Sequence, residues 1–160
     1  MSLITADRVR ELFVYDPETG AFTRKFKTHL SAIGSIVGTL SGSGYLVVNN
    51  CRRIYSLHRL AFLYMTGAVP AMVDHVNGVR TDNRWANLRA TTPMENVQNR
   101  RLASKNSKLG ILGVYAYKKR FVARIMHHRQ PIHIGVFDTP EIAHEAYLAA
   151  KRRIHQACTI

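Results

Sequence analysis

Cysteine is scarce in this chain: Cys51 and Cys158 stand far apart among 160 residues, in neither the dense pattern of a disulfide framework nor the paired spacing of a zinc site. Both read as ordinary thiols, no structural zinc is expected, and the core alone must hold the fold. Acidic residues are also few, with 10 Asp and Glu against 23 Lys and Arg and a formal charge of +13. An excess of that size in a small chain favours a polyanionic partner, nucleic acid first. Anionic membrane is the other polyanion, but no apolar run approaches the roughly 20 residues that a span needs. The opening residues, MSLITADRVREL, lack the basic-then-apolar order of a signal peptide, so the protein is expected to act in the cytoplasm where it is made. What is present is 46% apolar content, enough for one ordinary domain or two small ones.

The local patterns read as an α+β chain. Thr5 is a candidate N-cap for a short helix over residues 5–13, and the turn formers at 16–20 lead into a strand over 21–26. Gly34, Gly38, Gly42 and Gly44 among Val and Ile runs suggest short antiparallel strands between 33 and 55, completing an N-terminal β platform. Residues 56–65 have helical spacing, with Gly67 as the stop and Pro70 beyond it. Two extended pieces, 72–75 and 88–90, flank a long turn marked by Asn77-Gly78 and Asp82-Asn83. Thr92, Pro93 and Glu95 form a capping box with proline at the first helical position, which predicts a helix over 93–102. Residues 103–110 read as a basic linker. Beyond it, three short strands at 113–117, 120–127 and 131–137 precede a helix over 139–155, in which Ile142, Ala143, Ala146, Tyr147 and Ala150 make an apolar stripe. The expected domains are 1–102, the linker 103–110, and 111–160.

Residues 73–100, VDHVNGVRTDNRWANLRATTPMENVQNR, carry the chemistry. Hydrolysis of a phosphodiester asks for a base near the attacking water and a cation beside the phosphate, where charge accumulates. His75, with an ordinary pKa near 6.5, suits the base. Neighbouring side chains on an extended segment point to opposite faces, so Asp74 is free to serve a metal instead. Carboxylate and amide oxygens suit a hard cation, Mg²⁺ or Mn²⁺, and Asn96 in the first turn of the capped helix is placed as the second ligand. Asn87, on the facing strand, can orient His75 through its ring or its backbone. Asn99 and Arg100 follow Asn96 at i+3 and i+4, where Arg100 could meet the DNA backbone. His58 reads as a structural histidine at a helix start, Trp85 as a pin holding the long turn to the core, and Asn83 as a residue that closes that turn or touches DNA.

HRLAFLYMTG followed by this segment resembles the HNH homing endonucleases of phages and their hosts. The resemblance implies a ββα-metal, or His-Me finger, unit over about 72–102. It also implies metal binding by Asp74 and Asn96, a general base in His75, an orienting amide in Asn87, and one divalent ion without any small-molecule cofactor. The position occupied by histidine in the family's name is Asn96 here, as in the asparagine-bearing branch. Downstream, GVYAYKKRFVARI and HIGVFDTPEIAHEAYLAAKRR resemble the AP2 DNA-binding domain, a three-stranded sheet on one helix. Alternation then nominates an outward face: Phe121, Ala123 and Ile125 turn to the helix, leaving Arg120, Val122 and Arg124 outward, joined by Tyr115, Tyr117 and His133. Lys118 and Lys119 crowd the preceding turn. The expected activity is metal-dependent cleavage of double-stranded DNA in a bacterial or phage-infected cell, on one strand or on two according to whether a homodimer forms. The rival reading is a non-catalytic DNA-binding protein that works through the AP2-like module alone.

Overall fold

The computed structural model describes residues 4–104 and 106–155; Cys158 lies outside them. The chain divides into two compact units, Met1–Thr92 and Pro93–Ile160, built of short helices and small antiparallel sheets, an α+β arrangement. The division falls at the Thr92–Pro93 step, before the helix that the sequence reading groups with the preceding strands. One physical reason lies inside the second unit, where the buried Lys151 ammonium donates to the carbonyl of Arg100 and so ties the segment after that helix to the C-terminal one.

In the first unit α1 (Ala6–Leu12) starts at Thr5, whose hydroxyl accepts from Arg8 N–H at 3.2 Å. The helix stops before Phe13 because Phe13, Val14 and Tyr15 favour a pleated strand; they leave as β1 (Phe13–Tyr15), which the helical reading of 5–13 did not foresee. β1 pairs with β2 (Phe22–Arg24) so that Tyr15 faces Phe22, and β3 (Ile36–Val37) adds to the other edge of β2. β4 (Thr39–Leu40), β5 (Leu46–Asn50) and β6 (Arg53–Ser56) make a second sheet. The β5–β6 hairpin turns through Cys51 and Arg52, both at positive φ (50° and 64°), the conformation a two-residue turn of this hand demands even without glycine.

α2 (Leu57–Thr66) buries Leu57, Leu60, Ala61, Phe62 and Leu63 and ends where Gly67 enters the left-handed region at φ 78°. Its buried stripe meets Val9, Leu12, Phe13 and Phe22 in one core, with Phe13 and Phe22 edge-to-face at 6.3 Å. Each such buried aromatic contributes about 2–3 kcal/mol. β7 (Met72–His75) and β8 (Leu88–Thr91) form a separate two-stranded ladder. The turn between them closes through a short 3₁₀ segment, Trp85–Asn87, and Trp85 packs on Phe62 at 4.8 Å, tying the turn to the core.

The second unit opens with α3 (Pro93–Gln98), shorter than the expected 93–102 because the hydrogen bonding past Gln98 tightens, Arg100 N–H reaching back only to Val97. β9 (Val114–Tyr117), β10 (Arg120–His127) and β11 (Gln130–Phe137) form a meander ordered β11-β10-β9. α4 (Pro140–Ile154) follows, its N-terminus capped by the Thr139 hydroxyl and set by a first-turn proline. Val114, Ala123, Ile125, Ala143 and Tyr147 are the core of this unit. Ile142, counted in the expected stripe, is instead 49% exposed. No helix among the described residues is long and apolar enough to cross a membrane.

Candidate active site

The β7–β8 ladder sets Met72 opposite Thr91, Asp74 opposite Arg89, and His75 opposite Leu88. That register decides the partner of Asp74: both Nη2 and Nε of Arg89 donate to its Oδ2, at 2.9 and 3.2 Å. The pair is largely shielded, with side-chain exposures of 13% for Asp74 and 28% for Arg89. Screening by water is therefore reduced, and the cation holds the carboxylate in one place.

His75 ends β7 and is buried at 3% exposure. Its Nε2 lies 3.2 Å from Asn83 Oδ1. Nδ1 of His75 is not among the buried polar atoms that lack a partner, so it is the ring nitrogen left to meet solvent. Burial lowers the pKa of His75 below its ordinary value; the Asn83 hydrogen bond and the charges of Asp74 and Asp82 oppose that shift, and Arg80 adds to it. The ring is thus neutral at physiological pH and able to accept a proton. Two further rings flank it, Tyr45 at 5.9 Å and His58 at 5.1 Å. His58 is itself buried, and desolvation, with help from His75 and Arg59, takes its pKa down to about 4. Arg80 stacks over Tyr45 at 5.1 Å and donates to Ser43 C=O at 2.7 Å, closing one wall.

The turn after His75 is held by asparagines. Asn87 Oδ1 accepts from Asn77 N–H at 2.9 Å while Asn87 Nδ2 donates to Asp82 C=O at 2.8 Å. Asn87 C=O accepts from Val76 N–H at 2.8 Å, continuing the ladder one residue past His75. Asn77 Nδ2 donates to Asp82 Oδ2 at 2.7 Å, and the Arg84 guanidinium holds the same carboxylate at 2.6 Å. These bonds, Arg84 first among them, take the Asp82 carboxyl down to about 2. Asn87 therefore acts on the backbone leaving His75, and the imidazole itself is met by Asn83. Sequence reasoning gave Asn83 the closing of the turn or a contact with DNA; the Asp-Asn step at 82–83 was visible, but the path that aims the amide at the ring was not. Arg89 was likewise missed, although a hairpin drawn with His75 against Leu88 already places it opposite Asp74.

The remaining candidates lie in the second unit. Asn96 is half-buried on α3, Asn99 is buried, and Arg100 is exposed. In the sheet, Tyr117 pairs with Arg120, Tyr115 with Val122, and Arg124 with His133. Directly paired residues share a face of an antiparallel sheet, so Tyr115, Tyr117, Arg120, Arg124 and His133 lie on one side and Phe121, Ala123 and Ile125 on the other. Val122, expected outward, is on that side but only 4% exposed, because Tyr115 and Val136 cover it from the neighbouring strands. Lys118, at φ 54°, turns the β9–β10 hairpin with Lys119 and places its ammonium 5.8 Å from the Tyr117 ring. Arg120 is paired with Asp138 at 2.8 Å, both well exposed. A cavity of about 520 Å³ is lined by Arg100, Tyr115, Arg124, His128 and Arg129 among others, and no acidic side chain lines it.

Among the described residues no group of three or more His, Cys, Asp or Glu side chains could hold a metal ion. A Mg²⁺ site does not require one, since that ion binds through one or two carboxylates with water and substrate phosphate completing its shell. The shielded, oxygen-only carboxylate of Asp74 beside a neutral imidazole is consistent with such an ion.

Residues 55–98 match the model of a family described as HNH endonuclease. The matched segment runs from the end of β6 through α2, β7, the asparagine-held turn and β8 to the last residue of α3. No curated protein and no solved structure matches the chain.

Proposed function

We propose that this protein is a metal-dependent DNA endonuclease of the homing type, which hydrolyses phosphodiester bonds with His75 as general base. The observation that carries the reading is the buried, neutral His75 next to Asp74 at the end of β7, inside the segment that matches the HNH endonuclease family. In the reaction a water loses its proton to His75 as its oxygen attacks phosphorus, and the bond from phosphorus to the 3' oxygen breaks. The products are a 5'-phosphate and a 3'-hydroxyl, whose proton comes from solvent. Asp74, positioned by Arg89, would hold one Mg²⁺ or Mn²⁺, and Asn96 keeps the ligand role that the resemblance implies. A bound divalent ion supplies Lewis-acid stabilisation of charge on the phosphoryl and departing oxygens. Asn87 keeps the chain from Val76 to Asp82 in place, so His75 leaves the strand at a set angle.

The sheet of the second unit supplies the grip on double-stranded DNA in this reading. Its outward face joins tyrosines to Arg124 and His133, with Lys118 and Lys119 at its edge, a mixture suited to phosphate and base contact. The ββα-metal unit and the AP2-like identity of the sheet belong to the same proposal. Supercoiled plasmid incubated with the protein should be nicked or linearised when Mg²⁺ or Mn²⁺ is added, and His75→Ala should abolish this while leaving DNA binding intact. Wild-type protein that shifts DNA yet cuts none of it with either metal would overturn the enzyme reading in favour of a binding protein.

A further inference from the structure

The residue that meets the His75 imidazole is itself braced from outside the family-matching segment. Asn83 is 1% exposed and its Oδ1 faces His75 Nε2 at 3.2 Å. An amide oxygen only accepts, so Nε2 must carry the hydrogen and Nδ1 the lone pair. Asn83 Nδ2, by contrast, is buried without a partner. A residue present only to fill space would be apolar and avoid that cost; the amide is there for its oxygen.

Asn83 is in turn fixed by the β1–β2 hairpin. Its carbonyl accepts the Tyr15 hydroxyl at 2.7 Å, and Tyr15 is buried in β1 with its phenol pushed up to about 12, so it stays a donor. Two residues on, Trp85 N–H donates to Pro17 C=O at 2.9 Å. Gly20, at φ 74°, lies so close that a Cβ there would stand 2.4 Å from Asn83 C and Arg84 N. Residues 15, 17 and 20 therefore all clamp residues 83–85, and all three precede the matched segment 55–98.

We propose that the β1–β2 hairpin and Asn83 form a positioning device that locks His75 as its Nε2–H tautomer, so that Nδ1 is the nitrogen that takes the proton from water. The proposal rests on His75 being the base of the reaction above. The contact survives proton transfer, because an imidazolium still donates through Nε2 and the charge strengthens the bond. Tyr15 and Asn83 are positioning residues that act through His75.

The test reads the ring directly. Long-range ¹H–¹⁵N correlation spectra of the metal-free full chain, with His75 assigned by its loss in His75→Gln, should show a single Nε2–H tautomer. Asn83→Ala should turn that signal into a tautomer mixture, and Asn83→Asp, which keeps an acceptor, should restore it. Tyr15→Phe keeps the ring in the core and should shift the signal part of the way. In the plasmid assay Asn83→Ala should lower kcat on the order of 100-fold with KM unchanged, and Tyr15→Phe by a smaller factor. An Nδ1–H tautomer in the wild type, or a His75 spectrum unmoved by both Asn83→Ala and Tyr15→Phe, overturns the proposal. Cleavage that survives His75→Gln would sink the base assignment, while the tether would still be judged by the spectrum.

Discussion

His58 should make the first unit acid-labile by a calculable amount. The ring is 7% exposed, touches Tyr45 at 4.8 Å and His75 at 5.1 Å, and leaves Nδ1 buried without a partner. Burial, with the His75 and Arg59 charges behind it, sets its folded pKa at about 4 against an ordinary 6.5. Above pH 6.5 both folded and unfolded chains carry the ring neutral, and its contribution is constant. Between 6.5 and 4 the unfolded chain takes up a proton that the folded chain refuses, so stability falls with pH; below 4 both are charged and the loss is complete. Two and a half pKa units amount to about 3 kcal/mol, of which about 2.5 kcal/mol is lost by pH 4.5. Urea unfolding followed by tryptophan fluorescence reads this unit selectively, because the chain has one tryptophan and Trp85 packs on Phe62. Asp82 titrates in wild type and variant alike, so the comparison with His58→Phe reads His58 together with its coupling to His75. The variant keeps an aromatic ring against Tyr45 and should lose about 2.5 kcal/mol less than wild type between pH 7.5 and 4.5. Equal losses in the two proteins would refute the reasoning.

In the second unit Gly113 sits at φ 77°, and a Cβ there would lie 2.1 Å from the Tyr147 ring. Gly113→Ala should destabilise that unit by about 2–5 kcal/mol, combining the left-handed penalty with overpacking, seen as lost hydrogen-exchange protection in α4; unchanged protection would contradict it. On DNA, Arg124→Ala should reduce the log-log salt slope by about 0.9, one phosphate's worth. Arg120→Ala should change the slope less, since Asp138 already pairs with Arg120 at 2.8 Å. Fluorescence anisotropy across a salt series measures both, and identical slopes for the two variants would remove the outward sheet face from the interface.

Elements whose ends carry local chemistry were legible in advance. Thr5, Gly67 and Thr139 stand at helix ends where the sequence places them, and Pro93 begins α3. Each acts within one turn of its own position, so tertiary context has little to override. The two-residue strands β3 and β4 carry no period to detect, and β1 was absorbed into the helix before it because Phe13 fits either pattern. The hairpin turns at Cys51-Arg52 and His128-Arg129 hold positive φ without glycine or asparagine, so composition could not mark them. At the site, the residue types at Asp74, His75 and Asn87 could be read from their spacing. What each side chain touches could not, because it depends on how the turn over residues 76–87 is threaded and on the β1–β2 hairpin much earlier in the chain.

That turn is also ordered by amides at positions where carboxylates would bring further negative charge near the imidazole. Asn87 accepts from Asn77 N–H and donates to Asp82 C=O at once, and Asn77 both accepts from Val79 N–H and donates to the Asp82 carboxylate. An aspartate at either place would keep the accepted bond and turn the other into repulsion between two oxygens. Each added negative charge near the ring would also favour its protonated form, as Asp74 and Asp82 already do. In the proposed reaction His75 must be neutral before it takes a proton, so a carboxylate near the ring is tolerated where a cation compensates. Asp74 has Arg89 and Asp82 has Arg84. The amides at 77, 83 and 87 need no such partner: they order the turn without adding charge, leaving burial to keep His75 neutral.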